Sequence, residues 1–186
     1  FAAATFEFEG ALRLDEKAEQ RSTILSVAHK RGQSGELIFV ELERVLTQST
    51  ARVTERQTIV FRDSDAVTPN VAHIAALPEG EMWTPAAVDL FRFSAATFNS
   101  HRIHYDAPYA TAQEGYPGLV VHGPLIATRL AALAQKRKRA PLRRFSFRAQ
   151  APAFVNQPLV FVMDGDGENA RAVRCDGATT MSAAFV

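Results

Sequence analysis

A single strong helix pattern, followed by a run of strand-like segments, constrains the fold more than any other feature of this sequence. Residues 124–139, PLIATRLAALAQKRKR, begin with a proline, continue with Leu, Ile and Ala, and end in cations that complement a helix dipole. Strand-like segments follow directly: LRRFSFRAQ, PLVFVMDG, NARAVRCDG and ATTMSAAFV. The DGDG sequence at 164–167 is a hairpin turn signal between two of them. The second half therefore predicts one long helix against antiparallel strands.

Residues 1–63 carry strand patterns and no helix pattern. TFEFEG at 5–10 alternates apolar and polar residues, which is the period of a half-buried strand. Residues 22–46 predict two strands around a glycine-containing turn at 30–35, and residues 51–63 predict a third strand. Such a sheet needs another layer across one of its faces.

Together the two halves predict an α+β fold of the double hotdog type, in which a long central helix is wrapped by a curved antiparallel sheet. We expect the strands of 1–63 and of 142–186 to join in one sheet, with helix 124–139 across its concave face. The N-terminal hotdog unit is incomplete, because it has no central helix of its own. Residues 64–83, which contain two prolines, are the predicted linker to a C-terminal unit at 84–186.

A further helix is predicted over 84–98, TPAAVDLFRFSAATF. Thr84 is a good N-cap, and Pro85 suits the first helical position. Apolar residues recur at the spacing of one helix face and form a stripe of Val88, Phe91, Ala95 and Phe98.

Charge and cysteine content exclude several classes of function. The formal net charge of +1 gives no reason to expect nucleic acid or a membrane as partner. The single cysteine, Cys175, excludes an internal disulfide and the common thiolate zinc sites, and a reducing cytoplasm is the expected compartment. No apolar run approaches the ~20 residues of a membrane helix, and no signal peptide is visible. The chain opens on Phe1 rather than Met, which leaves open whether terminal or internal segments are absent.

Two polar clusters flank a short predicted helix in the middle of the chain. TFNSHRIHYD at 97–106 places two histidines, an arginine and an aspartate close together. Asp106 is the expected N-cap of the short helix DAPYATAQEG. VVHGPL at 120–125 then brings His122 and Gly123 to the start of the long helix.

TFNSHRIHYDAPYA followed by EGYPGLVVHGPL resembles the hydratase motif of MaoC-like, R-specific enoyl-CoA hydratases. The resemblance implies that His104 is the catalytic histidine, that Asn99 stands at the catalytic aspartate, and that the Gly123 N–H binds the thioester oxygen. His101 and Arg102 stand where the family has Asn and Pro. The patterns FN-x-HRIHYD and KRG-x-SG-x-L-x-FV resemble a subgroup of mesaconyl-CoA and itaconyl-CoA hydratases and related 3-hydroxyacyl-thioester dehydratases.

The implied activity is hydration of an α,β-unsaturated acyl-CoA, or the reverse dehydration, on a short or dicarboxylic chain such as mesaconyl or itaconyl. It implies no cofactor, an acyl-CoA thioester as partner, and a homo-oligomer. Two alternatives are a hotdog thioesterase and a non-catalytic acyl-CoA-binding module. Residues 124–135 contain no Asp or Glu, which argues against the thioesterase, and His104 with the HG pair argues against the module. The exact acyl chain, coenzyme A or acyl carrier protein as carrier, the direction and the oligomeric state stay open.

The residues themselves suit this chemistry. Hydration needs a base for water, a proton for the α-carbon and a donor for the enolate oxygen. His104 has an ordinary pKa of ~6.5 and suits the proton transfers. The Gly123 N–H adds the helix dipole to its hydrogen bond. Asn99 cannot act as an acid or base near neutral pH, so we expect His104 alone to carry the proton, on a water held by Asn99.

Other residues of the two clusters each have competing interpretations. His101 is a second catalytic group or a structural residue that bonds the backbone. Arg102 pairs with a carboxylate of the acyl group or holds the loop together. Asp106 is expected to act as a helix cap, and His122 to position the turn into the long helix and line the substrate site. The positions 101, 106 and 122 match no standard metal motif, so no metal site is predicted.

Three further features are candidates outside the two clusters. KRKRAPLRR at 136–144 meets the phosphates of coenzyme A or is a solvated helix end. Arg31 and Ser34 belong to a Gly-rich turn that borders the pocket or is a plain surface turn. Cys175 lies in a strand pattern and is predicted to be core. The candidate catalytic residues are thus His104, Asn99 and Gly123, and the candidate substrate-binding residues are His101, Arg102, His122, Arg31 and Ser34.

Overall fold

The computed structural model describes residues 2–32, 35–62, 71, 76–165 and 167–186. Within these ranges one antiparallel sheet is combined with three α-helices. The strands are β1 (Ala3–Glu9), β2 (Glu19–Gly32), β3 (Gly35–Thr47), β4 (Arg52–Arg62), β5 (Glu81–Trp83), β6 (Arg144–Ala149), β7 (Leu159–Met163), β8 (Asn169–Arg174) and β9 (Thr179–Phe185). The helices are α1 (Ala87–Thr97), α2 (Ala107–Ala112) and α3 (Gly123–Lys138), with a 3₁₀ turn at Arg102–His104.

The two halves of the chain share one nine-stranded sheet, in the order β2-β3-β4-β1-β6-β9-β8-β7-β5. The halves meet where β1 pairs with β6, with Phe6 opposite Phe145 and Ala4 opposite Phe147. The expected joining of N-terminal and C-terminal strands is therefore confirmed. Each strand-like segment identified in the sequence also contributes to an observed strand.

Helix α3 packs on the C-terminal half of the sheet, against β6 to β9. Its buried side chains include Ile126, Leu130 and Ala134, which share one core with Phe145 and Phe147 of β6. These aliphatic and aromatic side chains bury apolar surface on both layers, which is the main force holding helix to sheet. The helix thus crosses only part of the extended sheet.

The N-terminal half of the same face has no described helix over it. Residues directly opposite each other in antiparallel strands point to one face, and Ile38 of β3 is paired with Phe61 of β4. Both are exposed, as is Val27 of β2. Apolar side chains thus continue beyond the edge of α3 without a covering element among the described residues.

The predicted linker, 64–83, ends in structure. Residues 63–70 and 72–75 lie outside the described residues. The last three residues of the predicted linker form β5, which pairs with β7, so strand structure begins before residue 84. Trp83 packs against Phe161 of β7, and this aromatic contact draws the segment into the sheet.

Helix α1 begins later than the sequence predicts. Thr84 is not its N-cap; Ala86 is, and the Asp89 carboxylate accepts a hydrogen bond from the Ala86 N–H at 3.0 Å. Pro85 is buried ahead of the helix, and its carbonyl accepts from the Asn156 N–H at 2.8 Å. Because the Pro85 carbonyl bonds the loop before β7 instead of the helix, the next residue, Ala86, is the N-cap.

The apolar stripe of α1 faces outward. Phe91 is 63% exposed and Phe98 is 95% exposed, whereas Leu90 and Ser94 are buried. The helix therefore turns a face containing a serine toward the protein interior.

The short helix α2 forms as expected, since the Asp106 side chain accepts from the Tyr109 N–H at 3.0 Å and caps it. None of the described helices is long and apolar enough to cross a membrane.

Candidate active site

The loop between α1 and α2 is held by bonds within itself and to α1. The Asn99 N–H donates to the Ser94 carbonyl at 2.9 Å, and the Asn99 Oδ1 accepts from the His101 N–H at 3.0 Å. The Tyr105 hydroxyl donates to the Ser100 carbonyl at 2.9 Å. These contacts fix the backbone on both sides of the 3₁₀ turn that ends at His104.

His104 is buried, with 7% of its surface exposed, and its Nδ1 is held by a hydrogen bond. Its Nδ1 lies 2.7 Å from the Val120 carbonyl oxygen. A carbonyl only accepts, so Nδ1 carries the proton and Nε2 of the neutral ring is an acceptor. Burial lowers the pKa of His104 from its ordinary value, with a smaller contribution from His101, while the Val120 bond opposes the shift. The ring is thus a neutral base near neutral pH.

His122 is fully buried and stacks on His104. The ring centroids are 3.7 Å apart and the planes differ by 20°. Its Nε2 lies 2.9 Å from the Ser94 hydroxyl of α1, and Phe93 packs edge-on against the ring. Burial is the main cause that lowers the pKa of His122 to about 3, and the charges of His104 and His101 act in the same direction. His122 is therefore neutral at every pH where the protein is expected to work.

His101 completes a row of three imidazoles that runs from the surface to the interior. Its ring is exposed and stands edge-on to His104, with centroids 5.6 Å apart. The row thus joins residues from both polar clusters of the sequence, 97–106 and 120–125.

Gly123 is the first residue of α3 and directly follows His122. Within the described residues its N–H donates no hydrogen bond, as is typical for the first turn of a helix. A methyl group built on Gly123 would meet only the Met181 Cε, at 3.8 Å. The Gly123 N–H is thus a free donor at the positive end of a sixteen-residue helix, directly after His122 in the sequence. Such a donor is suited to stabilising a developing negative charge.

Arg102 and Asp106 bind each other. The Arg102 Nε and Nη2 donate to the Asp106 Oδ2 at 3.1 and 2.7 Å, and the guanidinium lies over the Tyr109 ring at 4.0 Å. The Arg102 hydrogen bond is the main cause that lowers the pKa of Asp106. Of the two interpretations of Arg102, this geometry favours the one in which it holds the loop against α2.

Arg31 lies near the tip of the β2–β3 hairpin, where its side chain is 85% exposed and pairs with Glu36 at 3.2 Å. His29 also pairs with Glu36. The described contacts do not join this hairpin to His104. Ser34, the other candidate in the turn, lies outside the described residues.

The cations after residue 135 lie at the opposite end of α3 from Gly123. Lys138 lies fifteen positions after Gly123 in the helix, a span of about 22 Å. Their side chains are exposed, and Lys138 lies over the Phe185 ring.

Cys175 is buried as predicted, although it follows β8 rather than lying within it. No group of His, Cys, Asp and Glu side chains among the described residues is arranged to hold a metal ion.

Two residues of the site carried no signal that singled them out in the sequence. Ser94 was one small polar residue within an apolar helix, and Val120 enters only through its backbone carbonyl. The signal that could have identified Ser94 is its spacing of four residues from Leu90, which places both on one helix face. Its partner, however, is 28 positions away and only the fold joins them.

The chain matches known proteins along most of its length. A model of the family "hydroxyacyl-thioester dehydratase type 2" matches residues 1–155. The chain is 42% identical over 190 residues to mesaconyl-C(4)-CoA hydratase from Chloroflexus aurantiacus, covering 98% of this chain and 68% of that protein. It is 37% identical over 129 residues to the mitochondrial hydroxyacyl-thioester dehydratase type 2 of Schizosaccharomyces pombe, covering 66% of this chain and 42% of that protein.

Solved structures share the fold at low sequence identity. HtdX from Mycobacterium tuberculosis aligns with a TM-score of 0.76 and 17% identity, over 99% of this chain and 74% of that one. A MaoC-like dehydratase aligns with a TM-score of 0.72 and 16% identity, over 100% of this chain and 74% of that one. An acyl-ACP thioesterase from Bacteroides thetaiotaomicron aligns with a TM-score of 0.59 and 8% identity, over 100% and 74% of the two chains. The fold alone therefore does not separate hydratases from thioesterases.

The sequence matches do make that separation. Both curated relatives are named for adding water to, or removing it from, acyl thioesters. The family model carries the same activity in its description and spans β1 to β6 with the whole histidine cluster. The chain thus belongs to the hydroxyacyl-thioester dehydratase type 2 family and is a hydro-lyase of the hydratase and dehydratase type.

Proposed function

We propose that this chain hydrates an α,β-unsaturated acyl-CoA thioester, or dehydrates the corresponding 3-hydroxyacyl-CoA, with His104 as the proton carrier and the Gly123 N–H as the oxygen donor. One observation carries the proposal. The Val120 carbonyl holds the Nδ1–H of a buried His104, which leaves Nε2 as a base, and the His122 ring stacked on His104 directly precedes the free N–H of Gly123 at the start of α3. A candidate base and a candidate donor for the thioester oxygen are thus linked through the stacked ring of His122.

The reaction balances with these two groups. The His104 Nε2 takes a proton from water while the water oxygen bonds to the β-carbon, and the electron pair of the double bond moves toward the thioester carbonyl. The Gly123 N–H and the dipole of α3 stabilise the negative charge on the carbonyl oxygen. The His104 imidazolium then gives its proton to the α-carbon, so hydroxyl and hydrogen are both added and the ring returns to neutral. Dehydration is the same sequence in reverse.

Asn99 has a supporting part in this mechanism. Its amide neither gains nor loses a proton near neutral pH. Its Oδ1 already accepts from the His101 N–H, which ties it to the loop that carries His104. The amide N–H groups of Asn99 can still hold the attacking water, and His104 alone carries out the proton transfers.

A dicarboxylic acyl chain is the proposed substrate, in line with the name of the Chloroflexus aurantiacus relative. The second carboxylate of such a chain needs a donor or a cation. Asp106 binds the Nε and Nη2 of Arg102 but not its Nη1, which can donate to such a carboxylate. His101 is exposed beside the His104 ring. These two residues, with His122, Arg31 and Ser34, stay the proposed substrate-binding set.

The proposed architecture is a double hotdog with domains at 1–63 and 84–186. The continuous sheet across β1 and β6 supports it, and so do the apolar side chains of β2 to β4 that no described helix covers. The same exposed apolar side chains support assembly into a homo-oligomer.

Incubation with crotonyl-CoA, mesaconyl-CoA and itaconyl-CoA tests the activity. Hydration removes the absorbance of the conjugated thioester and releases no thiol, and we expect this result, strongest with a dicarboxylic chain. Release of free thiol would instead identify a thioesterase. Helix α3 offers no carboxylate for that reaction, since its sequence GPLIATRLAALAQKRK contains no Asp or Glu.

A further inference from the structure

The contact between Ser94 and His122 has no part in the proton transfers above, yet it is the most buried polar contact of the site. Ser94 is 7% exposed and His122 is fully buried. Buried polar groups are retained when they are bonded, and here a helix serine and a histidine from the start of another helix bond each other at 2.9 Å. The pair joins α1, which leads into the catalytic loop, to α3, which supplies the Gly123 N–H.

We propose that Ser94 and His122 are a positioning pair, whose hydrogen bond holds the His122 ring against His104 and so orients the catalytic imidazole while leaving the transferred proton on His104. This inference rests on the proposed hydration. Among the described residues the His104 ring has one hydrogen bond, to Val120, which holds Nδ1 but does not by itself set the tilt of the ring plane. Parallel contact with His122 at 3.7 Å sets this tilt and directs Nε2.

A neutral His122 also suits the step in which His104 becomes an imidazolium. A second cation at stacking distance would repel it, whereas the face of a neutral ring attracts a positive charge. The groups that act electrostatically on His122 are His104 and His101. Its α1 neighbours Ser94 and Phe93 carry no charge, and neither does Met181 of β9, which lies against Gly123. When the stacked pair takes up the proton from water, His104 therefore carries it and His122 stays neutral.

The same contact does not fit a serine nucleophile. A base that activates serine needs a pKa near the working pH, and burial lowers the pKa of His122 to about 3. Its Nδ1 is buried and has no hydrogen-bond partner among the described residues, so no carboxylate orients the ring as in a catalytic triad. The pair positions a neighbour rather than attacking a substrate.

The test compares Ser94→Ala with Thr97→Ala, which removes an exposed hydroxyl from the same helix and leaves His122 untouched. Histidine titrations by NMR on ¹⁵N-labelled protein give the pKa of His104, and steady-state kinetics give kcat, KM and the pH profile. For Ser94→Ala we expect the pKa of His104 to rise toward ~6.5 as water reaches the loosened rings. The acid limb of kcat/KM should move up with it, and kcat should fall about tenfold with KM unchanged. Thr97→Ala should match the wild type.

His122→Phe supplies a second variant if Ser94→Ala does not fold. It keeps a flat ring against His104 and loses the bond to Ser94, so the same fall in kcat is expected. Wild-type values of kcat and of the His104 titration in both variants would show that the pair only fills space, and would overturn the inference while hydration stands. Absence of hydration in the wild type would overturn the proposed function instead, and the NMR titration would still decide whether Ser94 controls His104.

Discussion

The Nδ1 of His104 lies 2.7 Å from the carbonyl oxygen of Val120, sixteen residues further along the chain. This bond selects one tautomer and thereby makes Nε2 the only basic atom of the ring. Val120 is three residues before Gly123, so the segment that fixes the base also leads into the helix that offers the oxygen donor. The same short stretch of backbone thus sets both ends of the proposed reaction.

Removal of the His104 imidazole is expected to abolish most of the hydration. General acid–base catalysis contributes typically 10²–10⁴-fold, and His104→Ala should lower kcat by a factor in that range. His29→Ala is the matched control, because His29 is exposed on β2 and its described partner is Glu36 rather than His104. Circular dichroism checks that both variants are folded. Full activity of His104→Ala would contradict the mechanism.

The pH profile should show an acid limb below the ordinary pKa of histidine. The base must be neutral, and burial lowers the pKa of His104 from 6.5. The midpoint of the acid limb of kcat/KM in the wild type should therefore lie below pH 6.5. Measurement across pH 4.5 to 8 with a fixed ionic strength tests this, and a limb centred above 6.5 would show that His104 is not buried in solution.

Stability should also fall with pH in the acidic range. The unfolded chain takes up a proton on His122 near pH 6.5, whereas the folded protein resists protonation until a pH of about 3. Over that window the unfolded state binds more protons, so the free energy of unfolding decreases as the pH is lowered. Urea unfolding at pH 7 and pH 5 measures the change. His122→Phe, which cannot titrate, should show a smaller difference between the two pH values than the wild type.

The role of the Gly123 N–H can be separated from the space around it. Gly123→Pro deletes the N–H at the first helical position, where proline is well tolerated, and Gly123→Ala retains it. A methyl group there meets only Met181 at ordinary contact distance, so the alanine variant should fold and keep substantial activity. Loss of an oxyanion donor costs typically 10²–10³ in kcat, which is the effect expected for the proline variant. Equal activity of the two variants would exclude the N–H as the oxygen donor.

Apart from β5, the elements of this fold could be predicted from sequence, the strands from strand-like segments between turn signals and α3 from its initial proline, its Leu, Ile and Ala residues and its terminal cations. The buried face of α1 could not. Val88, Phe91 and Phe98 make a regular stripe, yet they lie exposed. The face is instead selected by tertiary contacts of Leu90 and Ser94, and a single serine in an apolar helix gives no sign of a partner 28 residues away.

His104 and Gly123, the proposed catalytic residues, could be selected from the sequence for a different reason. They belong to continuous motifs, so a resemblance over a few residues identifies them. The residues that contact them in space do not belong to such motifs. The fold brings the Ser94 hydroxyl to the His122 ring and the Val120 carbonyl to the His104 ring. Physical contacts between distant segments are what the sequence alone left unspecified.

The final prediction concerns Asn99, where the family resemblance expects an aspartate. Asn99→Asp keeps an oxygen that can accept from the His101 N–H, so the loop should retain its shape. It also restores a carboxylate close to the catalytic loop. We expect activity to fall, because a negative charge near the site repels an anionic substrate, and to fall most for mesaconyl-CoA or itaconyl-CoA relative to crotonyl-CoA. Asn99→Ala, which loses the bond to His101 but adds no charge, is the control and should reduce kcat by a similar factor for all three substrates. The ratio of kcat/KM for mesaconyl-CoA and crotonyl-CoA in the three proteins is the measurement. A rise in activity of Asn99→Asp with every substrate would show that a second acid–base group assists His104, and that the amide at position 99 limits the rate.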